Sequence, residues 1–193
     1  MAEIYEVYRE FQKIGALLYP TLNNTHSGNL SMRSGKDLII TKSGSMSPHL
    51  NLSSLVKIPI HGTSQQDKLA SVELPLHRAV YEHTKWNAIV HTHPPTIIAM
   101  SLSNNLFMPI DEEGKYYNPE GIKIISALEN IGSMEIAVKI SEALKTSNGV
   151  ILRGHGMFAA GETLEEAAKL ISSSEHSADI LYKHIVLSKA EQK

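Results

Sequence analysis

The amino-acid sequence predicts a single mixed domain, α/β or α+β, spanning residues 1–193. Three observations point there. Segments of helical and of strand-like hydrophobic periodicity alternate from one end to the other. A length of 193 residues suits one domain, or at most two small ones. No repeat, low-complexity stretch or long block of like charge breaks the pattern. A chain of this size buries roughly 70% of its unfolded surface, so its core needs no covalent staples.

Taken in order, Ile4, Val7, Phe11, Ile14, Leu17 and Leu18 recur at helical spacing and predict a helix over residues 3–19, ended by Pro20. A polar loop follows, Asn23 to Asn29. Leu30–Arg33 and Asp37–Thr41 flank Ser34-Gly35-Lys36 as a hairpin, and a second polar loop runs from Lys42 to Ser45. Leu55–Ile60 is a further strand, and Ser64–Lys68 a polar connection. Leu74–His83 is helical. Asn87–His91 is a short apolar strand, which Pro94 and Pro95 stop before a helix reaching Leu102. Residues 103–121 read as irregular. Gly121–Ser126 reads as a strand and residues 131–146 as a helix. Gly149–Leu152 and Gly156–Ala160 are strands separated by Arg153-Gly154-His155. The run Thr163-Leu164-Glu165-Glu166 is a capping box opening a long last helix, with Ala167, Leu170, Ile171, Ala178, Leu181 and Ile185 on its apolar side.

Composition narrows the chemistry. The chain is 42% hydrophobic, with 18 basic residues against 20 acidic ones, which gives no global field for nucleic acid. There is no cysteine, which excludes a disulfide scaffold, thiolate zinc sites, iron–sulfur clusters and a cysteine nucleophile. A transition metal would have to sit on His, Asp or Glu, and the chain has ten histidines. The charged, helix-like start Met1 to Glu6 does not read as a signal peptide, and no apolar run approaches the roughly 18 residues of a membrane span. The expectation is a cytoplasmic protein with no membrane and no nucleic-acid partner.

The sharpest local feature is His91-Thr92-His93 at a strand end. Residues i and i+2 of a strand share a face, so two imidazoles there can converge on one ion. His155, in Arg153-Gly154-His155-Gly156, leaves the end of another apolar strand. If the two strands are neighbours, three histidines cap a tetrahedron whose fourth corner is open, the arrangement of a catalytic rather than a structural zinc site. The alternative is a set of surface or structural histidines. Glu73, just before the helix that begins at Leu74, is either a helix-capping carboxylate or, beside a metal, a proton acceptor. Ser27-Gly28-Asn29 and Thr41-Lys42-Ser43-Gly44, with Ser71, offer N–H groups, hydroxyls and an amide, as in loops that cradle phosphate; each alone is equally a turn. His77 reads as a satisfied structural histidine.

Together these segments, Ser27-Gly28-Asn29-Leu30-Ser31-x-Arg33, Thr41-Lys42-Ser43-Gly44, Ser71-x-Glu73, Leu76-His77, His91-Thr92-His93 and His155-Gly156, resemble the class II aldolase/adducin family, most nearly its L-fuculose-phosphate aldolase-like members. The resemblance covers nearly the whole chain. It implies one three-layer αβα domain with a mainly antiparallel central sheet. It implies zinc, or another divalent ion, on His91, His93 and His155. Glu73 is then the acid–base group, and Gly28, Asn29, Thr41, Ser43, Gly44 and Ser71 hold a substrate phosphate. The implied partner is a small sugar phosphate. The implied reaction is reversible cleavage of a ketose 1-phosphate, of L-fuculose-1-phosphate or 5-deoxy/methylthio-pentulose type, to dihydroxyacetone phosphate and an aldehyde. A tyrosine acts as proton donor in such aldolases, and Tyr116, Tyr117 and Tyr182 are the candidates. The resemblance further implies a homotetramer with active sites at subunit boundaries. One departure is Val72, where aldolases of this type often carry a second serine. L-ribulose-5-phosphate 4-epimerases lead one to expect aspartate at position 73, and methylthioribulose-phosphate dehydratases place a catalytic glutamate after the His-x-His. A non-catalytic adducin-like module would be expected to lack an intact histidine triad.

Overall fold

A computed structural model describes residues 2–19, 21–129 and 131–191. Its strands are β1 (Asn29–Ser34), β2 (Asp37–Thr41), β3 (Leu55–Pro59), β4 (Ala88–Thr92), β5 (Leu106–Phe107), β6 (Ile122–Ile125), β7 (Gly149–Leu152) and β8 (Gly156–Gly161). Its helices are α1 (Ala2–Leu18), α2 (Leu74–His83), α3 (Pro95–Ser101), α4 (Glu112–Tyr117), α5 (Met134–Ala143) and α6 (Leu164–Ala190). Pro20, read as the stop of the first helix, lies outside the described residues, as does the side chain of Ile4.

The strands join one sheet in the order β3-β2-β1-β4-β8-β7-β6-β5. Every neighbouring pair is antiparallel except β6–β7. A parallel pair cannot be closed by a tight turn, and α5 supplies the crossover. The antiparallel pairs β1–β2 and β7–β8 are joined by short turns at Gly35 and Gly154, both with positive φ.

Strand side chains alternate between faces. On one face Leu30, Val90, Ile151, Met157 and Ala159 pack with Phe11 and Ile14 of α1, Ile97 of α3 and Leu170 of α6. On the other, Leu38, Ile40, Ile89, Val150 and Phe158 pack with Leu76 and Val80 of α2 and Ile136 and Ile140 of α5. Helix, sheet and helix layers result, as the resemblance implied. Strand β4 lies at the sheet centre and is buried along its whole length.

Boundaries differ from the sequence reading where local hydrogen bonds intervene. The Ser133 hydroxyl accepts from the Ile136 N–H and starts α5 at Met134 rather than at 131. At the start of α6 the Thr163 hydroxyl accepts from the Glu166 N–H, and the Glu166 carboxylate accepts from the N–H of Glu162. Residues 103–121 are not wholly irregular. They hold β5, which pairs with β6, and α4, whose N-cap Asp111 accepts from the Gly114 N–H. The apolar side of α6 is buried only as far as Ala178. Leu181 is partly covered and Ile185 is exposed.

Candidate metal centre

His91 and His93 leave the end of β4 on the face that packs under α2 and α5, the face of Ile89. The register of β4 against β8 sets His91 opposite Phe158, and the two rings stack at 3.8 Å between centroids, 5° from parallel. After His93 the chain turns at Pro94-Pro95 into α3. The first free N–H groups of that helix, on Thr96 and Ile97, donate to the two carboxylate oxygens of Glu175 on α6, each at 2.9 Å. His155 sits in the tight turn between β7 and β8. That turn is tied down by Gly154 N–H donating to the Ser101 hydroxyl and by the Arg153 guanidinium on Ser126 and Asn105.

The strand that His155 leaves, β7, is not a neighbour of β4: β8 lies between them, and it is the turn from β7 into β8 that carries His155 to the other two histidines, so the three meet. Their Nε2 atoms are separated by 2.9 Å (His91–His155), 3.0 Å (His91–His93) and 3.3 Å (His93–His155). Nitrogens about 2.0–2.1 Å from one tetrahedral ion stand about 3.3 Å apart, so these separations fit a shared divalent cation. The Nδ1–H of His91 donates to the Met157 carbonyl at 3.0 Å, which leaves its Nε2 lone pair aimed at the common point. Lone pairs converging this closely repel unless a cation lies between them. Burial, followed by the charge of a neighbouring imidazole, holds His91 and His93 down to about 3, and burial also lowers His155. All three are therefore neutral at ordinary pH, the form in which an imidazole can take a metal ion.

Glu73 faces the same point. Its Oε2 lies 3.5 Å from His91 Nε2, and its Oε1 lies 3.5 Å from His155 Nε2. The side chain is buried and makes no helix cap, so the capping alternative does not describe it. Oε2 accepts from Asn29 Nδ2 at 2.6 Å, while Oε1 is buried without a hydrogen-bond partner. An orphaned carboxylate oxygen beside three imidazole lone pairs is the pattern a cation or a substrate hydroxyl would complete. Burial pushes the Glu73 carboxyl above the usual carboxylate range, against the pull of Asn29 and the histidines.

A cavity of about 140 Å³ opens onto this cluster. Gly28, Asn29, Ser43, Gly44, Ser71, Glu73, His91, His93 and His155 all line it. Gly28 needs its positive φ of 76° to turn against the His91 carbonyl, where a Cβ would collide. The wall also contains His26, Lys42, Ser45, Val72 and Ile131, which the sequence reading did not assign. Thr41 does not line the cavity. It is buried, its hydroxyl accepts from the Leu30 N–H at 3.2 Å, and its carbonyl accepts from the Ser71 N–H. The Ser43 N–H is likewise spent on the Leu69 carbonyl, so the Ser43 and Ser71 hydroxyls, rather than their N–H groups, are left for an anion. Tyr116 and Tyr117 lie on α4 and do not line the cavity of their own chain. Tyr116 is exposed, and the Tyr117 ring lies against the Lys169 ammonium at 4.4 Å. Tyr182 is exposed on α6.

The family model described as Class II Aldolase and Adducin N-terminal domain matches residues 3–182. The chain belongs to the class II aldolase/adducin family. Among solved structures, this family member is similar to the L-fuculose-1-phosphate aldolase of Thermus thermophilus. The TM-score is 0.92 and the identity 33%, over 96% of this chain and 97% of that one. Among sequences, it is 30% identical over 179 residues to the L-fuculose phosphate aldolase of Methanococcus maripaludis, covering 89% of this chain and 94% of that protein. It is 29% identical over 163 residues to the 5-methylthioribulose-1-phosphate/5-deoxyribulose-1-phosphate aldolase of Escherichia coli, covering 84% and 76% respectively.

Two expectations follow for this class II aldolase/adducin chain. A Cβ on Gly156 would lie 2.8 Å from His93 Cδ2 and 2.9 Å from His91 Cε1, besides striking the Thr92 carbonyl. Gly156→Ala should therefore displace both imidazoles and weaken the uptake of an added divalent cation at least about tenfold in a chelator competition, with the circular dichroism spectrum retained. Unchanged affinity would contradict the ligand assignment. The second expectation concerns acid. Burial, and then the charge of His91, holds His77 down to about 3, while the unfolded chain protonates near the ordinary histidine value of about 6.5. The unfolded state thus binds more protons between those values, and His91 and His93 act in the same sense when no metal is bound. Their contribution to stability is complete above about pH 6.5 and is lost as pH falls toward 3. Thermal unfolding of chelated protein should show a lower Tm at about pH 5 than at about pH 7.5; an equal or higher Tm at the acid value would refute this.

Proposed function

We propose that residues 1–193 form one catalytic domain of a zinc-dependent class II aldolase that reversibly cleaves a ketose 1-phosphate to dihydroxyacetone phosphate and an aldehyde. Another divalent ion could serve in place of zinc, since three imidazoles suit several transition metals. The observation that carries the reading is the meeting of three neutral Nε2 atoms with the unpartnered Oε1 of Glu73 at the end of a polar cavity. The activities of the aldolase relatives, on L-fuculose phosphate and on 5-methylthioribulose-1-phosphate or 5-deoxyribulose-1-phosphate, support the substrate class.

When bound to His91, His93 and His155, a divalent ion supplies Lewis-acid stabilisation of negative charge developing on substrate oxygen. The protein's residues do the rest. Glu73 carries the proton of the carbon that becomes the nucleophile. In synthesis it removes that proton from dihydroxyacetone phosphate; in cleavage it returns it after the carbon–carbon bond has broken and the aldehyde has separated. A carboxyl raised by burial suits both directions better than an ordinary glutamate. Ser43, Ser71 and the backbone at Gly28 and Gly44 hold the phosphate, with Lys42 beside them for charge. Asn29 has one amide N–H on Glu73 and a second to offer. Binding energy from the phosphate, remote from the reacting carbons, positions them. Thr41 supports these loops from beneath. Tyr116 or Tyr117 of a neighbouring subunit handles the proton of the aldehyde oxygen.

The protein is proposed to work in the cytoplasm as a homotetramer with sites at subunit boundaries. Exposed apolar side chains at the cavity wall, Val72 and Ile131, and the uncovered end of α6 at Ile185, Val186 and Leu187 support that assembly. Among the described residues, no helix is long and apolar enough to cross a membrane.

A panel of ketose 1-phosphates, including deoxy and methylthio pentuloses, should give dihydroxyacetone phosphate and an aldehyde from at least one member. Isomer formation or water loss in place of aldehyde release would move the activity to an epimerase or dehydratase. Glu73→Gln should keep its metal and lose about 10²–10⁴ in turnover; near-normal turnover would assign the proton transfer elsewhere.

A further inference from the structure

Beneath Glu73 runs a buried chain of polar groups, of which the reaction above uses Asn29 alone. Asn29 Nδ2 donates to Glu73 Oε2 at 2.6 Å. Asn29 Oδ1 meets His77 Nε2 at 2.5 Å, His77 Nδ1 meets the Ser31 hydroxyl at 2.6 Å, and Ser31 meets the Tyr81 hydroxyl at 2.8 Å. His77 and Ser31 are completely buried and Tyr81 nearly so, which makes an unpaired group in the chain costly. His77 and Tyr81 are one helical turn apart on α2; Asn29 and Ser31 are two residues apart on β1 and share a face.

The direction of every bond follows from the far end. Ser31 is the one side-chain hydrogen-bond partner of the Tyr81 hydroxyl among the described residues, so Tyr81 O–H donates to it. The Ser31 proton must then go to His77 Nδ1, and the imidazole keeps its single proton on Nε2. Nε2–H in turn requires an acceptor, which only the oxygen of the Asn29 amide can be. The amide N–H is thereby turned toward Glu73.

We propose that His77 is a positioning residue for the acid–base carboxylate, locking Asn29 in the one amide orientation that donates to Glu73, with Ser31 and Tyr81 setting the His77 tautomer. This rests on the proposed role of Glu73. Without the His77 donor the amide is free to flip and set its oxygen against the carboxylate, which would push Glu73 from its place beside the histidines. The consequence falls mainly on turnover, with a smaller one on substrate affinity through the second Asn29 N–H.

The test compares three variants with wild type in the zinc-loaded protein. His77→Leu removes both ring nitrogens. His77→Gln carries an amide N–H that reaches the place of Nε2, and His77→Asn one that reaches only the place of Nδ1. His77→Leu and His77→Asn should lower kcat roughly 100-fold with KM moved less than about threefold and zinc content retained, while His77→Gln should return to within about tenfold of wild type. Equal turnover in the Gln and Asn variants, or wild-type kcat in His77→Leu, overturns the proposal. Should the Leu variant fail to fold, the Gln and Asn pair still decides. Independently of any substrate, nitrogen-15 spectra of histidine-labelled protein, with the His77 signal assigned by its loss in His77→Gln, should show the Nε2–H tautomer. An Nδ1–H tautomer overturns the proposal. A panel without any turnover, together with an Nε2–H tautomer, would reject the aldolase reading while upholding the amide lock.

Discussion

The site hangs on the register of one strand. Strand β4 is paired on both sides, with His91 opposite Asn29 of β1 and opposite Phe158 of β8. A slip of one residue would turn His91 and His93 to the α1, α3 and α6 side of the sheet and Thr92 to the other. The buried apolar neighbours Ile89 and Val90 forbid that slip, because each would exchange one packed core for the other. The same pairing sets β8 beside β4, so the turn before β8 delivers His155 to the two histidines. It also sets β1 beside β4, so Asn29 arrives within reach of Glu73. The convergence of the three histidines, and the approach of Asn29 to Glu73, are thus consequences of sheet pairing that hydrophobic burial enforces.

Around this register the protein keeps several polar groups away from water. Glu73, His77, His91, Asn29 and Ser31 are all buried. Burying such groups is unfavourable unless each finds a partner, and nearly all do. Among these five the exception is Oε1 of Glu73, on the side facing the cavity, and on β4 the Thr92 hydroxyl is also buried without a partner. Stability is therefore given up at the place where a ligand would recover it. The neutral imidazoles belong to the same pattern, since burial keeps them unprotonated and available as ligands.

Much of this was legible in the sequence. Alternating periodicity marked most of the elements, because apolar spacing along a strand or helix is what burial on one or two faces demands. The His-x-His end of a short apolar strand and the glycine-flanked His155 marked the convergence, and the resemblance to class II aldolases joined pieces that were weak alone. What escaped has physical reasons. β5 has two residues and α4 six, too short for any period to emerge, although Asp111-Glu112-Glu113 carries the N-cap and acidic first turn that could have marked α4. Thr41 looked like a phosphate ligand because its type and neighbours fit, yet side-chain direction at the end of β2 turned its hydroxyl to the Leu30 N–H. The links from Glu73 to Tyr81 join β1 to α2 across more than forty residues, and only the reading of His77 as a satisfied structural histidine hinted at them. The end of α6 reads as apolar in sequence, and among the described residues Ile185, Val186 and Leu187 stay exposed.

The central claim is that His91, His93 and His155 hold one divalent ion together beside Glu73. X-ray absorption spectroscopy of the protein loaded with one zinc per chain tests it most directly. The expected spectrum has three imidazole nitrogens at about 2.0–2.1 Å and an oxygen donor completing the shell. The multiple-scattering signal of one imidazole should disappear in each of the His91→Ala, His93→Ala and His155→Ala variants. A wild-type shell with fewer than three imidazoles, or one unchanged by removing any of the three, would contradict it.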